Sequence, residues 1–150
     1  MILVDTSVLI DFFKGIKNPA EVRFKSILEQ DIPFGITSLI YQEVLQGAKS
    51  EKEYAGLKKY LSSQRFFHPQ DPIETFAKAA RIYFRCRKKG ITVRSTVDCM
   101  IAQIAIENEL LLLHNDRDFE AMAAVVPLNF LDPNLWQGTG IHSYQVGTLI

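Results

Sequence analysis

The sequence is short of cysteine. Only Cys86 and Cys99 occur in 150 residues; they form no CxxC unit, and no histidine lies near them at the spacing of a zinc site. Both read as reduced thiols of a cytoplasmic protein, in which no disulfide is needed. Surplus charge is missing too: Lys plus Arg and Asp plus Glu both number 17, so any nucleic-acid contact must come from a local patch. No long apolar run is present. The N-terminal MILVDTSVLIDFFKG is interrupted by Asp5 and Asp11, lacks a basic leader and a small-residue cleavage site, and is too short to span a membrane. This predicts neither a signal peptide nor a membrane anchor. Internal repeats and low-complexity stretches are absent. What remains is 47% hydrophobic with 8 Gly and 6 Pro, which suits one globular domain with a full core.

Short β-rich runs alternate with longer segments of helical period, the pattern of an α/β domain with a mostly parallel sheet. Strands are expected at residues 2–4, 34–36, 65–67, 110–113 and 128–131. Thr6 and Ser7 can cap a first helix carrying Val8, Leu9, Phe12 and Phe13, and Asn18-Pro19 starts a second with Val22, Ile27 and Leu28 inward. Ser38 caps a third, a polar helix covers 51–62, and Asp71-Pro72 opens a long one that runs through Ile73, Phe76, Ala77, Ala80, Ile82 and Tyr83 and stops at Gly90. Ser95 caps the most apolar helix, 97–106, and a short helix spans 116–124. The domain is placed at 1–131, and no role is read for the tail 132–150.

Ligands of open α/β sheets bind beyond the carboxyl ends of the strands. Asp5 directly follows the first strand, and Asp116 lies just beyond the strand at 110–113. Two more acids sit on apolar helix faces. Glu43 shares its face with Leu39 and Ile40, and its i+4 neighbour is Gly47, so no helical salt bridge is available to it. Asp98 is bordered by Val97, Met100, Ile101 and Ala102. Each has a plainer reading except Glu43: Asp5 as a helix cap, Asp98 as the third residue after a Ser95 cap, Asp116 and Asp118 as first-turn acids. If the four converge, carboxylates ~4 Å apart repel by ~4 kcal/mol per pair at an effective dielectric near 20, and a cation must sit between them. Oxygen-only ligands select magnesium or manganese over zinc. Such ions activate water and stabilise charge on a phosphate.

Four segments, VDTSVLID, SLIYQEVLQGA, STVDCMIAQIAIENELLLL and HNDRDFEAMA, resemble in order and spacing those of PIN-domain nucleases, most closely the VapC-type toxins of prokaryotic toxin–antitoxin pairs. The resemblance covers roughly residues 2–131. It implies a PIN-like three-layer α/β/α fold, a centre made of Asp5, Glu43, Asp98 and Asp116, and Mg2+ or Mn2+ as cofactor. It further implies an RNA substrate, a VapB-type antitoxin that blocks the site, and a homodimer. The acids are the four that placement alone selects. Asp118 flanks the last motif as a second-tier metal candidate, and Thr6 is a supporting residue through its hydroxyl or backbone N–H. His114 stands where many relatives carry Thr or Ser, and it reads as a structural hydrogen-bond donor. Asp11 is turned by about 240° from Asp5 on a helix and is left out of the site.

The basic patch of Arg81, Arg85, Arg87, Lys88, Lys89 and Arg94 offers RNA contacts, chiefly through Arg85, Arg87, Lys88 and Arg94, or is simply a solvated helix end. Phe66, Phe67, Tyr83 and Phe84 are assigned to the core rather than to base stacking. An apolar groove for the antitoxin is expected among Phe12, Phe13, Val22, Phe24 and Tyr54. Three rivals remain. A non-catalytic PIN-fold RNA-binding or scaffold subunit need not keep all four acids. A DNA-directed nuclease needs further elements to grip its substrate. A phosphoacceptor receiver needs a paired acid and a late lysine that are not in place.

Overall fold

Four short strands, all parallel, form the central sheet in the order β3-β2-β1-β4 of a computed structural model that describes residues 1–134. Positions 135–150 of the tail lie outside the described residues. Along the chain the elements are β1 (Ile2–Val4), α1 (Thr6–Lys14), α2 (Pro19–Glu29), β2 (Phe34–Thr37), α3 (Ser38–Gln46), α4 (Glu51–Ser62), β3 (Arg65–Phe67), α5 (Glu74–Lys88), α6 (Thr96–Glu107), β4 (Leu111–Leu113) and α7 (Arg117–Ala123). Ile2, Leu3 and Val4 are buried, as an inner strand covered on both faces must be.

Helices α1 to α4 pack among themselves and α5 to α7 do likewise, one group for each face of the sheet, so the fold is a three-layer α/β/α domain. Right-handed crossovers dictate this split: the chain steps from β1 to β2 to β3 in one direction and then returns past β1 to add β4. The winding therefore reverses between β1 and β4, and a crevice opens beyond their carboxyl ends. Gly35 in β2 is required by its neighbours, because a Cβ there would lie 2.8 Å from the Arg65 carbonyl oxygen and closer still to the edge of the Phe67 ring. Both cysteines are free and buried. No described helix is long and apolar enough to cross a membrane.

Several local expectations are corrected. Asp5 rather than Thr6 or Ser7 caps α1, and Thr37 rather than Ser38 caps α3, its hydroxyl accepting from the Ile40 N–H. Adjacent capping residues compete, and in both cases the one nearer the strand caps the helix. Val22 is 55% exposed, while Ala20, Phe24 and Ile27 face inward, so Phe24 lies in the core and cannot line a groove. The strand expected at 128–131 is a single parallel bridge, Phe130 against Leu112. The largest change is in α5. Ile73, Phe76, Tyr83 and Phe84 face outward, and Thr75, Ala79, Ile82 and Cys86 pack inward. The Thr75 hydroxyl donates to Glu107 of α6 at 2.7 Å, which fixes the rotation of α5, and the small Ala79 lets the two helices approach.

Candidate functional site

The crevice between β1 and β4 is where the acids meet. Asp5 caps α1 and is 3% exposed; its Oδ2 accepts both the Ser7 N–H at 3.0 Å and the Ser7 hydroxyl at 2.6 Å. Its Oδ1 is buried with no hydrogen-bond donor. Burial first, and then the charge of Glu43, push the Asp5 carboxyl up to about 6, although the Ser7 hydrogen bonds pull the other way. Glu43 comes from α3, whose face against α1 brings its Oε1 2.9 Å from the Thr6 hydroxyl that donates to it. The partner missing from its own helix is thus supplied by the residue after Asp5.

Asp98 opens α6 with its backbone N–H donated to the Ser95 hydroxyl at 3.4 Å. Burial raises its carboxyl to about 7, with further upward pushes from Asp5, Asp116, Glu43 and Asp118 in that order. Asp98 thus lies within electrostatic reach of all four other acids. Asp116 caps the short α7, its Oδ1 accepting the Asp118 N–H at 2.9 Å. Carboxylate oxygens of Asp98, Asp116 and Asp118 lie within 4.8 Å of one another. The second-tier acid is thus part of the tightest group, with Asp98 and Asp116, whereas Asp5 and Glu43 are not among its members.

Arg94 stands at the acids rather than with the rest of the basic patch. Its guanidinium lies 3.5 Å from Asp118 and 3.8 Å from Asp116, and its backbone N–H donates to Asp118 at 3.1 Å. Arg85, Arg87 and Lys88 occupy the exposed last turn of α5 instead, with Lys88 over the Phe84 ring and Arg87 over Tyr83. His114 is also corrected. Its Nδ1 accepts the Asp116 N–H at 3.1 Å rather than donating, which places the ring proton on Nε2, and its ring is wedged against Phe119 and Phe130. Burial lowers its pKa, which keeps that nitrogen free to accept. A cleft of about 770 Å³ borders the cluster, lined among others by Arg94, Asn115, Asp116 and Arg117.

The donor set suits a hard divalent cation: Asp98, Asp116 and Asp118 offer carboxylate oxygens only, Asp5 Oδ1 is buried without a donor, and the mutual repulsion is one that a positive ion removes. Sequence reasoning missed Ser7 and Asn115, whose roles depend on contacts across the fold.

The chain matches the family model of the PIN domain over residues 2–125. It is 32% identical over 129 residues to VapC ribonuclease Mb1587 of Mycobacterium bovis and to ribonuclease VapC11 of Mycobacterium tuberculosis, spanning 85% of this chain and 96% of each relative. Among solved structures, VapBC-1 from nontypeable Haemophilus influenzae aligns with a TM-score of 0.66 at 18% identity, over 89% of this chain and 98% of that one. A toxin–antitoxin complex from Klebsiella pneumoniae aligns with a TM-score of 0.62 at 23% identity and the same coverage. These two likenesses are likenesses of fold.

Proposed function

We propose, from the premise that this chain belongs to the PIN-domain family, that it is an endoribonuclease dependent on Mg2+ or Mn2+ and the toxin of a VapBC-type toxin–antitoxin pair. What supports this reading is the cluster of Asp98, Asp116 and Asp118 at the β1/β4 crevice, with Asp5 and Glu43 near enough to raise the Asp98 carboxyl and with Asp5 Oδ1 buried without a donor.

Asp5, Glu43, Asp98 and Asp116 would hold the ion, and Asp118 would complete or orient that set. When bound, the ion supplies Lewis acidity, lowering the pKa of water and balancing charge on the phosphodiester. Thr6 fixes the Glu43 carboxylate by its hydrogen bond. Arg94, on the rim with 73% of its side chain exposed, is free to turn from the acids to a phosphate of the RNA. Arg85, Arg87 and Lys88 would track the RNA backbone farther out.

The exposed apolar residues on α1, α2 and α4, namely Phe13, Val22 and Tyr54, support an antitoxin groove, and Phe13 is seated on Tyr60 of α4. The outward stripe of α5, Ile73, Phe76, Tyr83 and Phe84, supports a second covered face, that of a homodimer. The cytoplasm, where an RNA target is present, is the proposed location.

The test is cleavage of purified RNA with Mg2+ or Mn2+, with EDTA, and by the Asp98→Asn variant. Cleavage with the metals and its loss in the other two arms are expected; activity surviving both EDTA and the substitution would reject the mechanism.

A further inference from the structure

Three polar side chains near the site have no part in the function proposed above. Ser7 and Asp11 are four residues apart on one face of α1, and Asn115 sits between β4 and α7 in the residue before Asp116. The Asn115 N–H donates to the Ser7 hydroxyl oxygen at 3.0 Å, and its side-chain amide donates to Asp11 Oδ2 at 3.1 Å. Asp11 Oδ2 also accepts from the Asn18 amide at 2.8 Å, while the Asn18 Oδ1 caps α2 by accepting the Glu21 N–H at 3.0 Å. A line of hydrogen bonds thus runs from the start of α2 to the loop that carries Asp116, and through Ser7 to Asp5.

Ser7 has one hydroxyl proton. That proton goes to Asp5 Oδ2 at 2.6 Å, so the oxygen's lone pairs must receive the Asn115 N–H, and the direction of every bond is set. Oδ2 of Asp5 takes both Ser7 donors and Oδ1 takes none. Ser7 therefore decides which Asp5 oxygen is left for an ion. It also ties the backbone beside Asp116 to the same carboxylate, across a gap where the acids would otherwise repel.

We propose that Ser7, Asp11 and Asn115 are positioning residues, a strut between α1 and the β4–α7 loop that holds Asp5 and Asp116 at the separation required to share a divalent ion. The proposal rests on the metal-site reading above. Outer partners of metal ligands typically contribute about 10- to 100-fold in metal affinity.

The experiment is calorimetric titration of Mn2+ into the full chain without RNA, for the wild type, Ser7→Ala, Ser7→Thr, Asn115→Ala and Asp98→Asn. Ser7→Ala is expected to weaken Mn2+ binding by about tenfold or more, and Ser7→Thr, which keeps the hydroxyl, to restore it within about threefold. Asn115→Ala keeps the backbone bond to Ser7 but releases Asp11, and is expected to weaken binding by about threefold or more. The Mn2+ concentration that gives half-maximal cleavage is expected to rise in both Ala variants, a shift that loss of folded protein, which lowers apparent kcat at unchanged KM, would not produce. Wild-type affinity in Ser7→Ala and Asn115→Ala, with binding lost in Asp98→Asn, overturns the strut and leaves the metal site standing. Equal binding by wild type and Asp98→Asn overturns the metal site, and the strut with it. Should Ser7→Ala fail to fold, Asn115→Ala, at an exposed loop side chain, decides the matter by the same criterion.

Discussion

Replacing Asp98 by Asn is expected to make the metal-free protein more stable at alkaline pH while removing its ability to bind metal. Burial, and then the charges of Asp5, Asp116, Glu43 and Asp118, raise the Asp98 carboxyl from its ordinary 3.8 to about 7. A carboxyl with a raised pKa holds its proton more tightly folded than unfolded, so its contribution to stability is complete below the unfolded value near ~4 and lost as pH climbs through about 7. Three pH units at ~1.4 kcal/mol each set a ceiling of roughly 4 kcal/mol for this residue. The crevice admits water, and screening reduces the expected effect to about 1–2 kcal/mol. The assay is urea unfolding in EDTA, followed by circular dichroism at about pH 5 and about pH 8. His114, whose pKa burial lowers, moves stability in the opposite sense over this range, so the comparison with the variant isolates Asp98. At about pH 8 the variant should exceed the wild type by about 1–2 kcal/mol, or about 2–4 °C in Tm per kcal/mol. Added Mn2+ should reverse the order, because only the wild type gains binding energy. A variant no more stable than wild type at the higher pH would refute the reading of Asp98 as a carboxylate held against its own electrostatics.

Thr6→Val removes the donor to Glu43 at little change in volume, and should lower kcat by about tenfold with the thermal melt nearly unmoved. Arg94→Gln should raise the KM for RNA and flatten its dependence on the logarithm of salt concentration by ~0.7, the slope of one phosphate contact on a single strand. Gly35→Ala forces a Cβ against Arg65 and Phe67 and should cost about 1–3 kcal/mol in urea unfolding. Phe76→Glu with Phe84→Glu should shift any dimer to monomer in light scattering behind size exclusion, while leaving the melt of the monomer nearly unchanged.

The acids were legible before any coordinates because they violate their surroundings: a carboxylate on an apolar face has few structural excuses, and Glu43 had none within its helix. The sheet was legible because inner strands such as Leu111–Leu113 are short, apolar and bounded by turns. The rotation of α5 was not. Its sequence carries two stripes at helical spacing, one bulky and one small, and only contact with α6 through Thr75 and Glu107 decides between them. Arg94 looked like the end of a basic run, yet its partner Asp118 lies 24 residues away. The bond between Ser7 and Asn115 spans 108 residues, and no local pattern announces it.

Asp5 and Asp116 each cap a helix with one oxygen. Asn caps helices about as well as Asp. The codons of these two amino acids differ by a single base, so a point mutation at either position strips a charge from the centre and leaves the architecture intact. A cell carrying such a gene has an easy route to a silenced, well-folded product that still displays every surface a partner recognises.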